Sequence, residues 1–344
     1  MRILFLTFDN PELISGYEKS APEFVVISNI FKRCTKIAAV FRKFFSRIGK
    51  MPGFFLGNWK KKLDSFDLVI IMDSSNTASS VYKYIRAKGY GDRIAYYYWN
   101  TVSDDARSAN PNAIERNCCE LWSFDPHECN LYDMKYNPSF YSRGFVEIAR
   151  GLETSPARKE GTRPVAYFLG LEKGRLPQLL RIERALRDSG VDASFEVIKD
   201  ETSSTSSDYR YASQVSYYEN LRKVSRADIL VEVNKQKQSG ITIRALEALF
   251  FQKKLITDNT AIKHLRMFDP RNIFLIDETF PKGLDDFIKG DFRLPDDDVL
   301  TFYEFESWIK RMAEDKPINS RRYANGSVSK DCLGDPKTSM AWEE

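Results

Sequence analysis

The chain has 344 residues, 42% of them apolar and 13% aromatic, with 52 Lys plus Arg against 48 Asp plus Glu. That is ample material for the interiors of two domains, and it excludes an intrinsically disordered chain. A net charge of +4 does not mark a nucleic-acid binder, so the placement of the cations matters more than their number.

The opening run MRILFLTF is apolar and ends near Asp9-Asn10-Pro11, which reads as a buried strand followed by a turn. From Phe24 to Leu63 there is no Asp or Glu, while Lys32, Arg33, Lys36, Arg42, Lys43, Arg47, Lys50, Lys60, Lys61 and Lys62 supply ten positive charges. Within this stretch Ile37, Val40, Phe41, Phe44, Phe45 and Ile48 fall on one helical face, so residues 30–50 predict a basic amphipathic helix. Such a helix either lies in the headgroup zone of an anionic membrane or packs its apolar face on the sheet as an ordinary domain element. RNA is disfavoured as a partner because the aromatics line up with the aliphatics instead of alternating with the charges.

FDLVIIMD, from Phe66 to Asp73, predicts a second strand. VYKYIRAKGYG follows as a helix closed by Gly89 and Gly91, then RIAYYYW as a strand and LWSF as another after an intervening helix. Strand, helix and strand at this spacing give a parallel sheet with crossover helices. The stretch from Glu147 to Pro164 turns polar and marks a domain junction. A fresh series then runs through VAYFLGL, LPQLLRIERALRDSG, SFEVI, VSYYENLRKVSRA, DILVEV, TIRALEALFFQ, KLIT and NIFLID. The fold class expected is therefore α/β, with two Rossmann-like domains facing across a cleft. The divisions are 1–150 and 151–300, a closing helix at 301–314 built on TFYEFESWIKRMAE, and a polar, flexible tail at 315–344.

The longest aliphatic run, Leu68 to Met72, is far below the ~20 residues that cross a bilayer, and no secretory leader pattern opens the sequence. The five cysteines, Cys34, Cys118, Cys119, Cys129 and Cys332, include no C-x-x-C pair, so neither a disulfide framework nor a zinc site is indicated. The expected location is the cytoplasm. Asp296, Asp297 and Asp298 follow a proline in a polar loop and read as a solvated turn, so no metal is expected. No G-x-G-x-x-G follows a predicted strand and no G-x-x-x-x-G-K-[ST] occurs, which disfavours dinucleotide enzymes and NTPases.

The segment QSGITIRALEALFFQKKLITDN, Gln238 to Asn259, has a Gly-containing turn entering a helix, an acidic residue seven positions after Gly240, then a basic pair and a strand. It resembles the nucleotide-sugar region of GT-B glycosyltransferases, where E-G-F-G-x-x-x-x-E-A-hydrophobic precedes a G-K-P-V-I-like strand. With YYYWNTV, SFDPHECNLYDMKYNPSFY, YFLGLEKGR and YYENLRKVSRADILVEV, the chain over residues 1–312 resembles a bacterial family of surface-polysaccharide and lipopolysaccharide biosynthesis proteins. The resemblance implies a glycosyltransferase that moves a sugar from a nucleoside diphosphate donor to a saccharide or lipid-linked acceptor, with no cofactor and no metal. It places Glu247 on the donor's ribose hydroxyls, where an acceptor-only carboxylate can engage two vicinal groups. Gly240 and the amides of Ile241 and Thr242 would face the diphosphate at a helix start, and Lys173, Arg175 and Arg244 would neutralise it. Ser239 stands where the pattern has its first Glu, a departure that bears on stereochemistry and on activity itself.

On the acceptor side the expected base is a carboxylate or His at a strand end of the first domain. Asp73, Asp104, Asp105, Asp125 and His127 are in place, with Asp104 and Asp125 preferred. Trp99 and Asn100 offer a stacking face and an amide. His264 carries no role. The rival readings are a non-catalytic GT-B-like scaffold of a polysaccharide or coat assembly system and a nucleotide-sugar epimerase of similar form.

Overall fold

The computed structural model describes residues 1–8, 10–73, 78–102, 109–152, 161–203, 209–234 and 239–318. Its first half comprises β1 (Ile3–Thr7), α1 (Pro11–Glu18), β2 (Val25–Asn29), α2 (Lys36–Arg47), β3 (Leu68–Met72), α3 (Ser79–Ala87), β4 (Arg93–Tyr98), β5 (Glu120–Ser123), α4 (Pro126–Tyr132), β6 (Lys135–Tyr136) and α5 (Arg143–Leu152). The strands form one sheet in the order β2-β1-β3-β4-β5-β6, and every pairing is parallel. A parallel sheet is covered on both faces, so its central strands must be apolar on both. That is what Ile3 and Phe5 on one face, and Leu4 and Leu6 on the other, supply.

The second half comprises β7 (Val165–Leu171), α6 (Leu176–Asp188), β8 (Asp192–Ile198), α7 (Tyr217–Arg226), β9 (Ile229–Glu232), α8 (Ile243–Phe250), β10 (Lys254–Thr257), β11 (Ile273–Leu275), α9 (Leu284–Lys289), α10 (Asp297–Tyr303) and α11 (Phe305–Ala313). Its sheet, also parallel, runs β11-β10-β9-β7-β8. The chain thus forms two Rossmann-like α/β domains. One continuous apolar cluster joins them, holding Phe5, Tyr97 and Trp122 of the first sheet together with Tyr167, Leu230 and Leu255 of the second.

Some elements lie where the sequence reads otherwise. The predicted turn at Asn10-Pro11 begins α1, because the Asn10 side chain accepts from the amides of Glu12 and Leu13 and Pro11 occupies the first turn. α5 extends into the polar stretch from Glu147, carried by buried Phe145 and Ala149. It crosses α1 closely: a Cβ on Gly144 would lie 2.3 Å from the Gly16 carbonyl oxygen, so neither helix tolerates bulk there. The predicted closing helix is broken at Glu304, whose backbone is extended (φ −66°, ψ 145°). Glu304 Oε1 accepts from the Arg143 amide at 3.0 Å, and α11 then turns back onto the first domain.

There α11 packs Trp308 against Tyr97 and Phe140, with ring centroids 4.7 and 4.2 Å apart. Arg93 locks its end, donating to the carbonyls of Ala313 and Met312 at 2.7 and 3.1 Å while its other edge grips Glu120 at 2.7 and 2.9 Å. Of the polar tail, Ile318 bonds back to Tyr136 at 2.9 Å; residues 319–344 lie outside the described residues.

Candidate functional site

Because each sheet is parallel, all its strands end on one side, where ligands of doubly wound folds are received. Asp125 shows where that side faces. It follows β5 by two residues, is fully buried, and its Oδ2 accepts from the amides of Ser239 and Gly240 in the second domain at 2.8 and 2.9 Å. Its Oδ1 accepts from Ser239 Oγ at 2.6 Å and caps α4 by accepting from the amides of His127 and Glu128 at 2.9 and 3.2 Å. Five donors saturate the carboxylate, which has about four lone-pair sites. The sequence offers Asp125 as a general base; in this structure it is a tie between the domains that doubles as a helix cap.

The turn before α8 is held from several directions. Asn259 Nδ2 donates to the Gly240 carbonyl at 3.4 Å, and Ser139 Oγ of the first domain donates to the Ile241 carbonyl at 2.8 Å. Gly240 is required by close approach: an added Cβ would lie 2.6 Å from the Phe124 ring and 2.7 Å from the Phe124 carbonyl oxygen. The backbone contact expected with a donor is thus made here with Phe124. Ile241 is buried in the shared core, and Thr242 caps α8 by accepting from the Arg244 amide at 3.0 Å.

Behind this turn lies a buried polar network. Arg244 and Glu247, one helical turn apart, form an ion pair at 2.6 Å with 11% and 1% of their side chains exposed. Glu247 Oε1 also accepts from Asn220 Nδ2 at 2.9 Å and from the Tyr217 hydroxyl at 3.2 Å. The Arg244 guanidinium stacks over Tyr167 at 5.3 Å and donates to Asn220 Oδ1 at 3.2 Å. Burial, with Tyr141 and then Glu247 adding negative charge nearby, raises the Tyr217 hydroxyl well above the phenolic range. Glu247 and Arg244, expected on the ribose and the diphosphate, here form an ion pair with one another beneath the turn.

At the strand ends, Glu232 is buried and accepts from the hydroxyls of Thr242 and, at 2.6 Å, Thr257. Desolvation raises its pKa above the ordinary 4.5, outweighing those two bonds. Arg175 donates to the carbonyls of Leu171 at 2.6 Å, Glu172 at 3.2 Å and Val233, which spans the ends of β7 and β9. Burial lowers its pKa. Lys173 sits exposed at the tip of this loop in the left-handed region (φ 47°), its amide donating to Asp200 at 2.8 Å. Next to Val233, the Asn234 carboxamide has both polar atoms buried and no hydrogen-bond partner among the described residues. Its amide donates to Asp258 at 2.7 Å.

On the acceptor side Trp99 is half-buried between Phe8 and Phe140, with centroids 5.9 and 6.3 Å away, and Asn100 is exposed after β4. Asp73 is buried and accepts from the Tyr96 hydroxyl. Asp104 and Asp105 lie outside the described residues. Asp297 pairs with Arg143 at 2.6 Å, and no group of three or more potential metal ligands occurs among the described residues. No helix among them is long and apolar enough to cross a membrane.

Sequence reasoning missed Glu232, Asn220, Tyr217 and Ser139. The available signal was strongest for Glu232, an acid inside the otherwise apolar run ILVEV.

No protein-family model matches the sequence, and neither does any curated protein sequence. Solved structures do match. A UDP-forming α,α-trehalose-phosphate synthase from Burkholderia xenovorans, in complex with glucose-6-phosphate, superposes with a TM-score of 0.57 at 10% identity, over 92% of this chain and 99% of its own. The chain has the GT-B architecture. A UDP-GlcNAc 2-epimerase from Neisseria meningitidis bound to UDP-GlcNAc is a weaker match, with a TM-score of 0.47 at 9% identity over 92% and 99% of the two chains. An α1,3-fucosyltransferase gives 0.39 at 13% identity over 77% and 81%. At these identities the likeness is one of fold, and the surface-polysaccharide family stays a resemblance.

Proposed function

We propose that the protein is a glycosyltransferase that moves a sugar from a nucleoside diphosphate donor to a saccharide or lipid-linked acceptor in surface-glycan assembly. The observation that carries this reading is the pair of amides at Ser239 and Gly240, which converge on an anion at the strand ends between two Rossmann-like domains. Backbone donors at a helix entrance are suited to phosphate oxygens. The anion they receive in this structure is Asp125, whose carboxylate stands where the donor's diphosphate would bind. A diphosphate that takes those amides releases Asp125 toward the acceptor side as a candidate base for the attacking hydroxyl, Asp104 being the other candidate from the sequence. Cleavage of the sugar–phosphate bond puts negative charge on the departing oxygen, and fixed amides together with Lys173 at the neighbouring loop stabilise that charge without a metal. Arg175 and Arg244, committed to carbonyls and to Glu247, shape the site from beneath. The Asn234 carboxamide, which has no hydrogen-bond partner among the described residues, supplies a donor and an acceptor for the nucleotide. Trp99 and Asn100 take the acceptor sugar, and the reading puts the enzyme at the cytoplasmic face of a membrane.

A second reading, a non-catalytic scaffold, is favoured by one observation: the anion seat and the Glu247 carboxylate are both filled by the protein's own groups. Incubation with a panel of nucleotide-sugars separates the two. A transferase releases nucleoside diphosphate from one of them slowly without acceptor and faster with one, and a scaffold releases none.

A further inference from the structure

The α2 helix has no buried residue, although most of its apolar side chains are large. Ile37, Val40, Phe41, Phe44 and Ile48 are each more than half exposed, at 72, 67, 56, 57 and 51%, and Phe54 nearby is 66% exposed. Only one edge of the helix meets the domain. Ala38 and Phe45 pack against the outer core, Phe45 lies 6.2 Å from Phe55, and the Arg42 guanidinium covers Phe31 at 4.2 Å. The sequence pattern groups Phe45 with the other apolar residues, but the fold turns it inward and leaves the rest as an outward ridge.

At ~100° per residue, the ridge of Ile37, Val40, Phe41, Phe44 and Ile48 spans about 100° of the helix, and Lys36, Lys43 and Arg47 form a stripe along its outer flank. No described carboxylate pairs with Lys36, Lys43, Arg47 or Lys50, and no acid occurs in the sequence between Glu23 and Asp64. Lys60, on the same acid-free stretch, is held below its ordinary pKa by partial burial and then by the charges of Lys32 and Lys61.

We propose that α2 is an in-plane docking helix for an anionic lipid surface, its apolar ridge seated among the acyl chains and the Lys36–Lys43–Arg47 stripe on the lipid phosphates. The chemistry singles out this occupant. A second copy applied ridge to ridge would leave both positive stripes without a counter-charge, as would a purely apolar partner, whereas an anionic bilayer answers both features together. The placement has a use. β2 is the edge strand of its sheet, and α2 is entered from the same strand ends at which Asp125 meets the second domain. A lipid-linked acceptor lying in that membrane would therefore reach the first domain on the side where the cleft opens, an inference that rests on the glycosyl-transfer reading.

The test is cosedimentation of the full chain with vesicles of phosphatidylcholine alone or mixed with phosphatidylglycerol, in the absence of any nucleotide-sugar, so that its outcome is independent of donor binding. The wild type should partition at least about tenfold more strongly onto the anionic vesicles. The double variant Phe41→Ser/Phe44→Ser and the double variant Lys43→Gln/Arg47→Gln should each lose at least about tenfold of that binding. Both should keep the wild-type melting temperature, since these side chains lie outside the core. Equal partition onto the two vesicle types, or full anionic binding by the Phe41→Ser/Phe44→Ser variant, would overturn the proposal. So would a wild-type dimer in solution that the same serine substitutions dissociate, because the ridge would then belong to a second copy.

Discussion

Replacing Asp125 by Asn isolates the interdomain tie from the helix cap. Asn is as good a cap as Asp, and its oxygen placed at Oδ1 keeps the bonds from His127, Glu128 and Ser239 Oγ. Its amide nitrogen then faces the amides of Ser239 and Gly240, donor against donor, where Oδ2 now accepts at 2.8 and 2.9 Å. A buried donor left unsatisfied costs about 1–3 kcal/mol, so two give about 2–6 kcal/mol. Gly240 is buried and Ser239 only partly so, which favours the middle of that range, about 4 kcal/mol. Denaturant titration of Asp125→Asn measures it, and Asp125→Ser, which keeps a capping oxygen but cannot reach both amides, should lose a comparable amount. A loss under about 0.5 kcal/mol for Asp125→Asn, the scatter typical of surface substitutions, would refute the tie.

Other substitutions test neighbouring parts. Glu247→Ala strands the Arg244 guanidinium in the core and should cost about 3–5 kcal/mol, whereas the double variant Arg244→Met/Glu247→Leu should recover most of it, as a double-mutant cycle in urea will report. Gly240→Ala drives a Cβ into Phe124 and should destabilise by about 1–3 kcal/mol, a loss that Phe124→Ala relieves only in part because the Phe124 backbone carbonyl also blocks the space. Glu232 is an acid whose folded-state pKa is raised, so its contribution to stability is greatest below the ordinary 4.5 and declines as pH climbs from there to the raised value. Glu232→Gln keeps a partner for Thr242 and Thr257 and removes that decline: its stability relative to wild type should increase with pH across that window, and a pH-independent difference would contradict the burial argument.

Much of the fold was legible because parallel sheets advertise themselves: β3 and most of β1, β7 and β9 are apolar, as burial on two faces demands, with Thr7 and Glu232 standing only at the strand ends. The two-residue β6 is too short to read, and the edge strand β2, though its Val25, Val26 and Ile27 are β-branched, is not among the strands predicted above. At the site, the turn before α8 was found from its glycine and its helix start, but the partners of its residues were not. Asp125 is 114 residues from Ser239 in sequence, and no local spacing reports such a contact. Likewise the ion pair of Arg244 with Glu247 fits the i,i+3 spacing, yet its burial depends on Tyr167, Tyr217 and Asn220 arriving from other elements. For α2 the amphipathic period was visible while the side it turns outward was not, since that depends on where Phe55 and Phe31 sit.

On the glycosyl-transfer reading, the turn at Ser239 and Gly240 seats the diphosphate of a nucleotide-sugar. The most direct measurement of that binding is calorimetric titration of wild type with a panel of nucleoside diphosphates, the matching nucleosides and inorganic pyrophosphate, supported by thermal shift. One nucleoside diphosphate should bind saturably and, at about a hundred times its Kd, add roughly 2.7 kcal/mol of stability, while its nucleoside binds far more weakly. Nucleoside and nucleoside diphosphate binding equally, or no diphosphate binding at millimolar concentration, would contradict the account.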